Sequence, residues 1–161
     1  AEYYCRVFAG VYGLETVALR YFNVFGPRQD PDSPYAAVIP LFLKRLLKGA
    51  APLINGDGTQ TRDFTFVANV VHANLLACAA PAAASGMAMN AACGGSVSLL
   101  GLAAALNRLL NTTIAPQHGP PRAGDVLHSC ADIRLARTLI GYAPVCSFEE
   151  GLARTVAAYT A

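Results

Sequence analysis

The chain has 161 residues, a length suited to one domain with its own hydrophobic core. Hydrophobic residues make up 54% of it and charged residues 14%, against a charged share of about 25% in ordinary globular proteins. The net charge of +2, with arginines scattered along the chain, argues against a nucleic-acid partner, and Pro81 interrupts the alanine-rich stretch before it could span a membrane.

The cysteines indicate a reducing environment. There are five, with no Cys-x-x-Cys pair among them. An odd number at irregular spacing argues against a disulfide framework and a zinc site, so we predict reduced thiols in a cytoplasmic protein. The histidines share no ligand spacing with a cysteine or an acid, and no metal site is predicted.

The first half of the chain alternates helices with strands. Apolar residues at helical spacing predict a helix over 2–12, and a β-branched run predicts a strand over 16–24. A loop over 26–35 precedes a helix over 36–48. A strand over 52–55 enters an Asn-Gly-Asp-Gly turn of the hairpin type, and a strand over 62–66 leads into a helix over 68–80.

The second half continues the alternation. A strand is predicted over 87–92, and Ser98 caps a helix over 99–110. Residues 117–125 form a Pro/Gly loop, Asp132 caps a helix over 133–140, and Ser147 with Glu150 forms a capping box for the last helix. This order predicts an α/β fold with mostly parallel strands.

A phosphate-binding glycine loop is missing from this pattern. Gly94 and Gly95 follow a strand and precede a helix, as such a loop would. They lack the third glycine and the acidic residue about 20 positions later that a dinucleotide site requires. We therefore predict no dinucleotide-binding loop at this position.

Two segments in the first third combine ligand-type groups with tight turns. In residues 20–29, RYFNVFGPRQ, a strand delivers Asn23 into a Gly-Pro turn, and ligands of open α/β sheets bind beyond the carboxyl ends of strands. The Asn23 amide either binds a ligand or caps the turn. Residues 36–40, AAVIP, open a helix with small residues whose free backbone N–H groups suit an anion.

Two later segments each contain an arginine. The guanidinium of Arg62 either holds a diphosphate or pairs with Asp63 or Asp57. After two prolines, Arg122 can reach a phosphate and Asp125 can accept from a ribose hydroxyl, or the two form a surface salt bridge. Taken alone, each segment favours the structural role.

The order of the four segments is more specific than any one of them. A strand ending in YFNVFGPR, then AAVIP, then NGDG with RDF, then PPRAGDV resembles the C-terminal part of the NAD-dependent NDP-sugar epimerase/dehydratase family, the extended short-chain dehydrogenases. Within it, the resemblance is closest to UDP-N-acetylglucosamine and UDP-glucose 4-epimerases. It implies that residues 1–25 are the tail of a Rossmann domain and that residues 26–161 are mainly the smaller α/β substrate-binding lobe.

The resemblance also implies where catalysis occurs. In this family an N-terminal Rossmann domain binds NAD, and a Tyr and a Lys separated by three residues are catalytic. Residues 1–4, AEYY, resemble the pattern that follows this pair, so the pair is expected upstream of residue 1 and no catalytic residue is expected within the chain. The chain is then expected to be a C-terminal fragment, inactive alone, of a homodimeric parent enzyme.

The family resemblance implies a role in ligand binding for individual residues of the four segments. Phe22 would face the nicotinamide of NAD and the substrate. Asn23 would bind the diphosphate or the sugar. Ala37 and Val38 would contact the nucleotide through backbone groups.

Further substrate contacts are implied later in the chain. Leu53 and Asn55 would lie at the edge of the uracil. Arg62 and Arg122 would clamp the diphosphate, and Asp125 would hold the ribose.

Two positions bear on the sugar. Ser129 falls where some hexose-specific 4-epimerases have a bulky Tyr, and a small side chain there leaves room for an N-acetyl group. Gln29 resembles the form found in members acting on UDP-N-acetylglucosamine. The expected reaction is therefore interconversion of UDP-N-acetylglucosamine and its galacto epimer. The alternatives are a 4,6-dehydratase, a UDP-uronate epimerase or decarboxylase, and a non-catalytic sugar-nucleotide-binding remnant.

Overall fold

A computed structural model describes residues 1–32 and 37–160. The helices are α1 (Glu2–Tyr12), α2 (Val38–Leu46), α3 (Val67–Cys78), α4 (Leu99–Leu110), α5 (Arg134–Ile140) and α6 (Phe148–Thr160), with a 3₁₀ turn at Ala82–Ala84. The strands are β1 (Val17–Tyr21), β2 (Val24–Phe25), β3 (Leu53–Asn55), β4 (Thr61–Arg62), β5 (Thr65–Phe66), β6 (Met87–Ala91), β7 (Val97–Ser98) and β8 (Gln117–Gly119). The predicted helix start at Ala36 and the end of the predicted loop over 26–35 lie outside the described residues.

Parallel pairing dominates the strands. β1 pairs with β6, β2 with β5 and β3 with β8, all in parallel, and β4 pairs with β7 in antiparallel. On the other side of β4, Thr61 forms a parallel bridge with His128. The predicted α/β class with mostly parallel strands is confirmed.

Four predicted strand, turn and loop assignments were wrong in part. The strand over 16–24 breaks after Tyr21 because Asn23 has a positive φ of 34°, so its two pieces belong to different sheets. The strand over 62–66 is also divided, into β4 and β5, and these pieces belong to different sheets. The Asn-Gly-Asp-Gly turn does not close a hairpin, since β3 pairs with β8, which begins the segment predicted as a loop.

The helix caps agree better with the sequence. The Ser98 hydroxyl accepts from the Gly101 N–H at 3.0 Å. The Ser147 hydroxyl accepts from the Glu150 N–H at 3.1 Å, while the Glu150 carboxylate turns to Arg154 instead of completing a capping box. The predicted Asp132 cap is wrong by one residue: α5 begins at Arg134 with Ile133 at the cap position, and Asp132, one residue before that position, accepts from the Arg134 N–H at 2.9 Å.

The main core lies under α2, α4 and α6. Its centre is an aromatic cluster in which Phe25 packs edge-on against Phe64, Phe66 and Phe148 at centroid distances of 6.4, 5.6 and 5.9 Å. A second core surrounds Tyr142, which is fully buried and donates to the main-chain oxygen of Ala92 at 2.9 Å. These two cores fix the strands that carry the candidate site.

Helix α1 packs differently from the others. None of its residues is buried, and Tyr3 is 85% exposed. Within the described part of the chain, no helix is both long and apolar enough to cross a membrane. The predicted division at residue 25 between a Rossmann tail and a substrate lobe stays a prediction.

Candidate functional site

A cavity of about 440 Å³ opens where β2, α2, β3 and β4 meet, beside the turn that follows β1. Eight of the ten predicted substrate-binding residues line it: Asn23, Ala37, Val38, Leu53, Asn55, Arg62, Arg122 and Asp125. Since these residues come from four segments far apart in sequence, the fold brings together the groups that the motif order had selected.

Asn23 owes its position to an unusual backbone conformation. Its φ of 34° lies in the left-handed region, which Asn tolerates better than most residues. Its side-chain Nδ2 donates to the main-chain oxygen of Asp63 at 3.1 Å, and its own carbonyl accepts from the Thr65 N–H at 3.3 Å. With Nδ2 directed at Asp63, the amide oxygen of Asn23 remains as an acceptor for a ligand.

The Asp63 carboxylate connects three segments beneath the site. Its side chain is fully buried and accepts from the N–H groups of Cys93 at 3.1 Å, Gly94 at 2.9 Å and Ala131 at 3.2 Å. A buried carboxylate is stable where backbone donors replace its water shell. Asp63 thereby anchors the carbonyl that positions Asn23.

Arg62 is a cation held in place before any ligand arrives. Its side chain is 16% exposed, and one terminal nitrogen donates to Asp125 Oδ1 at 2.5 Å. The other donates to the main-chain oxygens of Thr61 at 2.8 Å and Leu127 at 3.4 Å. The partner is therefore neither Asp57 nor Asp63, the two acids that the sequence had offered.

Two other anion-binding features lie in the same cavity. Arg122 is exposed, and no ion pair within residues 1–32 and 37–160 involves it. Helix α2 begins after Ala37 without a side-chain cap, and the N–H groups of Val38 and Ile39, in its first turn, have no partner within the helix. A helix start and a free guanidinium both favour a phosphate.

Three predicted contacts lie outside the cavity lining. Gln29 donates from Nε2 to the main-chain oxygen of Val24 at 3.2 Å, and its own carbonyl accepts from the hydroxyl of Tyr159. Ser129 is half-buried and extends the sheet beside β4, donating its N–H to Thr61 O at 3.1 Å. Phe22 packs against the small apolar cluster of Ala92, Ala131 and Ile133.

Two polar residues of the cavity were not predicted from the sequence. Gln60 is 6% exposed and donates to the main-chain oxygen of Asn55 at 2.7 Å, which fixes the wall after β3. Arg45 lines the cavity from α2. Helical spacing could have identified Arg45, because it lies seven residues after Val38 and therefore on the same helix face.

The fold and the cavity define an α/β protein whose site, with three arginines and one aspartate, suits an anionic ligand at the carboxyl ends of its strands. Residues 1–92 match the NAD dependent epimerase/dehydratase family. The chain belongs to that family.

Known proteins similar to the chain include UDP-sugar epimerases and UDP-sugar decarboxylases. The structure of UDP-glucose 4-epimerase from Thermotoga maritima with UDP-glucose aligns with a TM-score of 0.92 and 38% identity, over 99% of this chain and 50% of that one. UDP-N-acetylglucosamine 4-epimerase from Methanobrevibacter ruminantium, in complex with UDP-N-acetylmuramic acid, aligns with a TM-score of 0.91 and 42% identity, over 99% and 50%. UDP-glucose 4-epimerase from Mycolicibacterium smegmatis is 36% identical over 96% of this chain and 49% of its own. The chain thus spans about half the length of these relatives.

Proposed function

We propose that this chain is the sugar-nucleotide-binding part of an NAD-dependent UDP-hexose(amine) 4-epimerase. The observation that carries the proposal is the cavity that gathers Arg62, Arg122, Asp125 and the start of α2. Its charged lining residues are three arginines and one aspartate, which suits the two negative charges of a diphosphate bridge. The likeness to UDP-sugar epimerases supports the same ligand class.

Each residue has a distinct role in this proposal. Arg62 is already fixed by Asp125 and two carbonyl oxygens, so it provides a preorganised donor that loses little entropy on binding. Arg122 is free to close over the other phosphate. Asn23 offers its amide oxygen to a hydroxyl of the sugar. Held at the diphosphate, the sugar ring remains able to present either face to a hydride acceptor.

NAD would supply that hydride acceptor when bound. Within the described part of the chain, the residue proposed to face the nicotinamide is Phe22. It directly precedes Asn23 at the carboxyl end of β1, the edge at which ligands of α/β sheets bind. We place most of the NAD site, and the catalytic Tyr and Lys, in residues N-terminal to this chain.

The preferred substrate of the parent enzyme is proposed to be UDP-N-acetylglucosamine. The support for this choice is the small side chain of Ser129, and it comes from the resemblance of the sequence, since Ser129 lies beside β4 and outside the cavity lining. Gln29 is less direct support, because its side chain is bonded to the main-chain oxygen of Val24 in β2.

Binding and turnover test the two parts of the proposal separately. Isothermal titration of the chain with UDP should show binding that Arg62→Gln weakens about tenfold, whereas Arg154→Gln, an exposed cation on α6, should not. The chain alone should give no epimer from UDP-N-acetylglucosamine and NAD. Kinetics of the parent enzyme on both sugar pairs should favour the N-acetylated pair, and activity on UDP-glucose alone would reject the substrate assignment.

A further inference from the structure

One face of helix α2 lines the cavity. Val38, Leu41, Phe42 and Arg45 all line it, at the i, i+3, i+4, i+7 spacing of a single helix face. With a rise of 1.5 Å per residue, Arg45 lies roughly 10 Å along the axis from Val38. The cavity therefore has a helix start at one end and a guanidinium at the other.

The guanidinium of Arg45 is oriented but not neutralised. Its Nε donates to the main-chain oxygen of Ala51. None of the ion pairs between described residues involves it. The bond to Ala51 fixes one edge of the planar group and leaves the two terminal nitrogens as donors. Leu53, 48% exposed, lines the same cavity two residues after Ala51.

We propose that Arg45 recognises the base of the bound nucleotide. This inference rests on the proposed function, since it takes the diphosphate to bind at the start of α2 and at Arg62. The separation of Val38 and Arg45 then corresponds to the reach of a nucleoside from its 5′-phosphate to the far edge of its base. At that edge the terminal N–H groups of Arg45 donate to a ring carbonyl of uracil, and Leu53 covers an apolar face of the ring.

The chemistry of the base edge makes this contact selective. Uracil has a carbonyl oxygen at position 4, which accepts a hydrogen bond. Cytosine has an amino group there, which is a donor and opposes another donor. A guanidinium at this position therefore favours uracil over cytosine, whereas a general attraction of phosphate by positive charge would not distinguish the two nucleotides.

The test is the ratio of UDP to CDP affinity, measured by isothermal titration of the chain. The unsubstituted chain should bind UDP about tenfold more tightly than CDP. Arg45→Ala should lower UDP affinity about tenfold and change CDP affinity little, so that the ratio approaches one. Lys48→Ala is the control, since it removes the same charge from an exposed position just after α2 and outside the cavity lining. Its ratio of UDP to CDP affinity should equal that of the unsubstituted chain.

Three results would overturn the inference. An equal loss of UDP and CDP affinity in Arg45→Ala would show that the residue acts only as a positive charge. Unchanged affinities in Arg45→Ala, together with weaker binding of both nucleotides in Arg62→Gln, would reject the role of Arg45 while supporting the proposed function. If the unsubstituted chain bound neither nucleotide, both the role of Arg45 and the proposed function would be rejected.

Discussion

Substitution of the buried Asp63 by Asn should destabilise the chain strongly, although it changes only one side-chain atom. The carboxylate accepts one N–H at Oδ1, from Cys93, and two at Oδ2, from Gly94 and Ala131. An amide has a single acceptor oxygen. In its better orientation that oxygen faces Gly94 and Ala131, and the amide nitrogen then opposes the Cys93 N–H.

The expected loss follows from these contacts. One hydrogen bond disappears and one buried donor remains unpaired, at a cost of about 1–3 kcal/mol. The two remaining bonds lose their charge assistance, about 1 kcal/mol more. The free energy of unfolding should therefore fall by about 2–4 kcal/mol, a large share of the ~5–15 kcal/mol typical of a domain.

Urea denaturation followed by circular dichroism measures this change. Asp57→Asn is the matched control, since Asp57 is exposed and accepts its bonds from Thr59 N and Oγ1, which one amide oxygen can still satisfy. Its denaturation midpoint should equal that of the parent chain. If Asp63→Asn were as stable as this control, the carboxylate would not hold the three segments together and the account of the site would be wrong.

Two further predictions concern packing and thiol reactivity. An added Cβ at Gly151 would lie 2.7 Å from Cγ of the buried Phe66, so Gly151→Ala should lower the unfolding free energy by about 1–3 kcal/mol in urea titrations. Gly10→Ala in α1 meets no atom within 4 Å and should be neutral or slightly stabilising; similar losses in both would contradict the packing argument. Burial raises the pKa of the Cys146 thiol, which leaves less reactive thiolate at neutral pH than an ordinary cysteine has. Iodoacetamide followed by peptide mass spectrometry should therefore label the exposed Cys78 well before Cys146, and equal rates would show that Cys146 is accessible.

The helices were predictable because their signals are local. The predicted helices over 2–12 and 99–110 have the bounds found for α1 and α4. Helical spacing and a left-handed residue at the C-terminal end, Gly13 or Asn111, mark both helices, and the Ser98 cap marks the start of α4. The strands were less predictable because their partners are distant in sequence. Nothing near β3 indicates that it pairs with β8 rather than with β4.

In the candidate site, too, local sequence patterns were predictable and tertiary contacts were not. Motif order selected eight lining residues, but the hydrogen-bond partners of the motif residues depend on tertiary structure. Asp63 has the appearance of a surface ion-pair partner in the sequence and is instead buried under three backbone donors. Gln29, selected as a substrate contact, has its side chain bonded to the main-chain oxygen of Val24 in β2. Such outcomes depend on which segments the core brings together, which residue type alone does not specify.

The ion pair between Arg62 and Asp125 joins a residue predicted to bind the diphosphate to one predicted to bind the ribose. The residues are 63 positions apart, and their contact at 2.5 Å partly neutralises both before a ligand binds. In the proposed function, a diphosphate binds the guanidinium donors of Arg62 that Asp125 and the two carbonyl oxygens leave free, so the pair stays intact. The second carboxylate oxygen of Asp125 then accepts from a ribose hydroxyl. The pair therefore holds a phosphate site beside a ribose site, and a nucleotide, which meets both, should bind more tightly than inorganic pyrophosphate, which has no ribose.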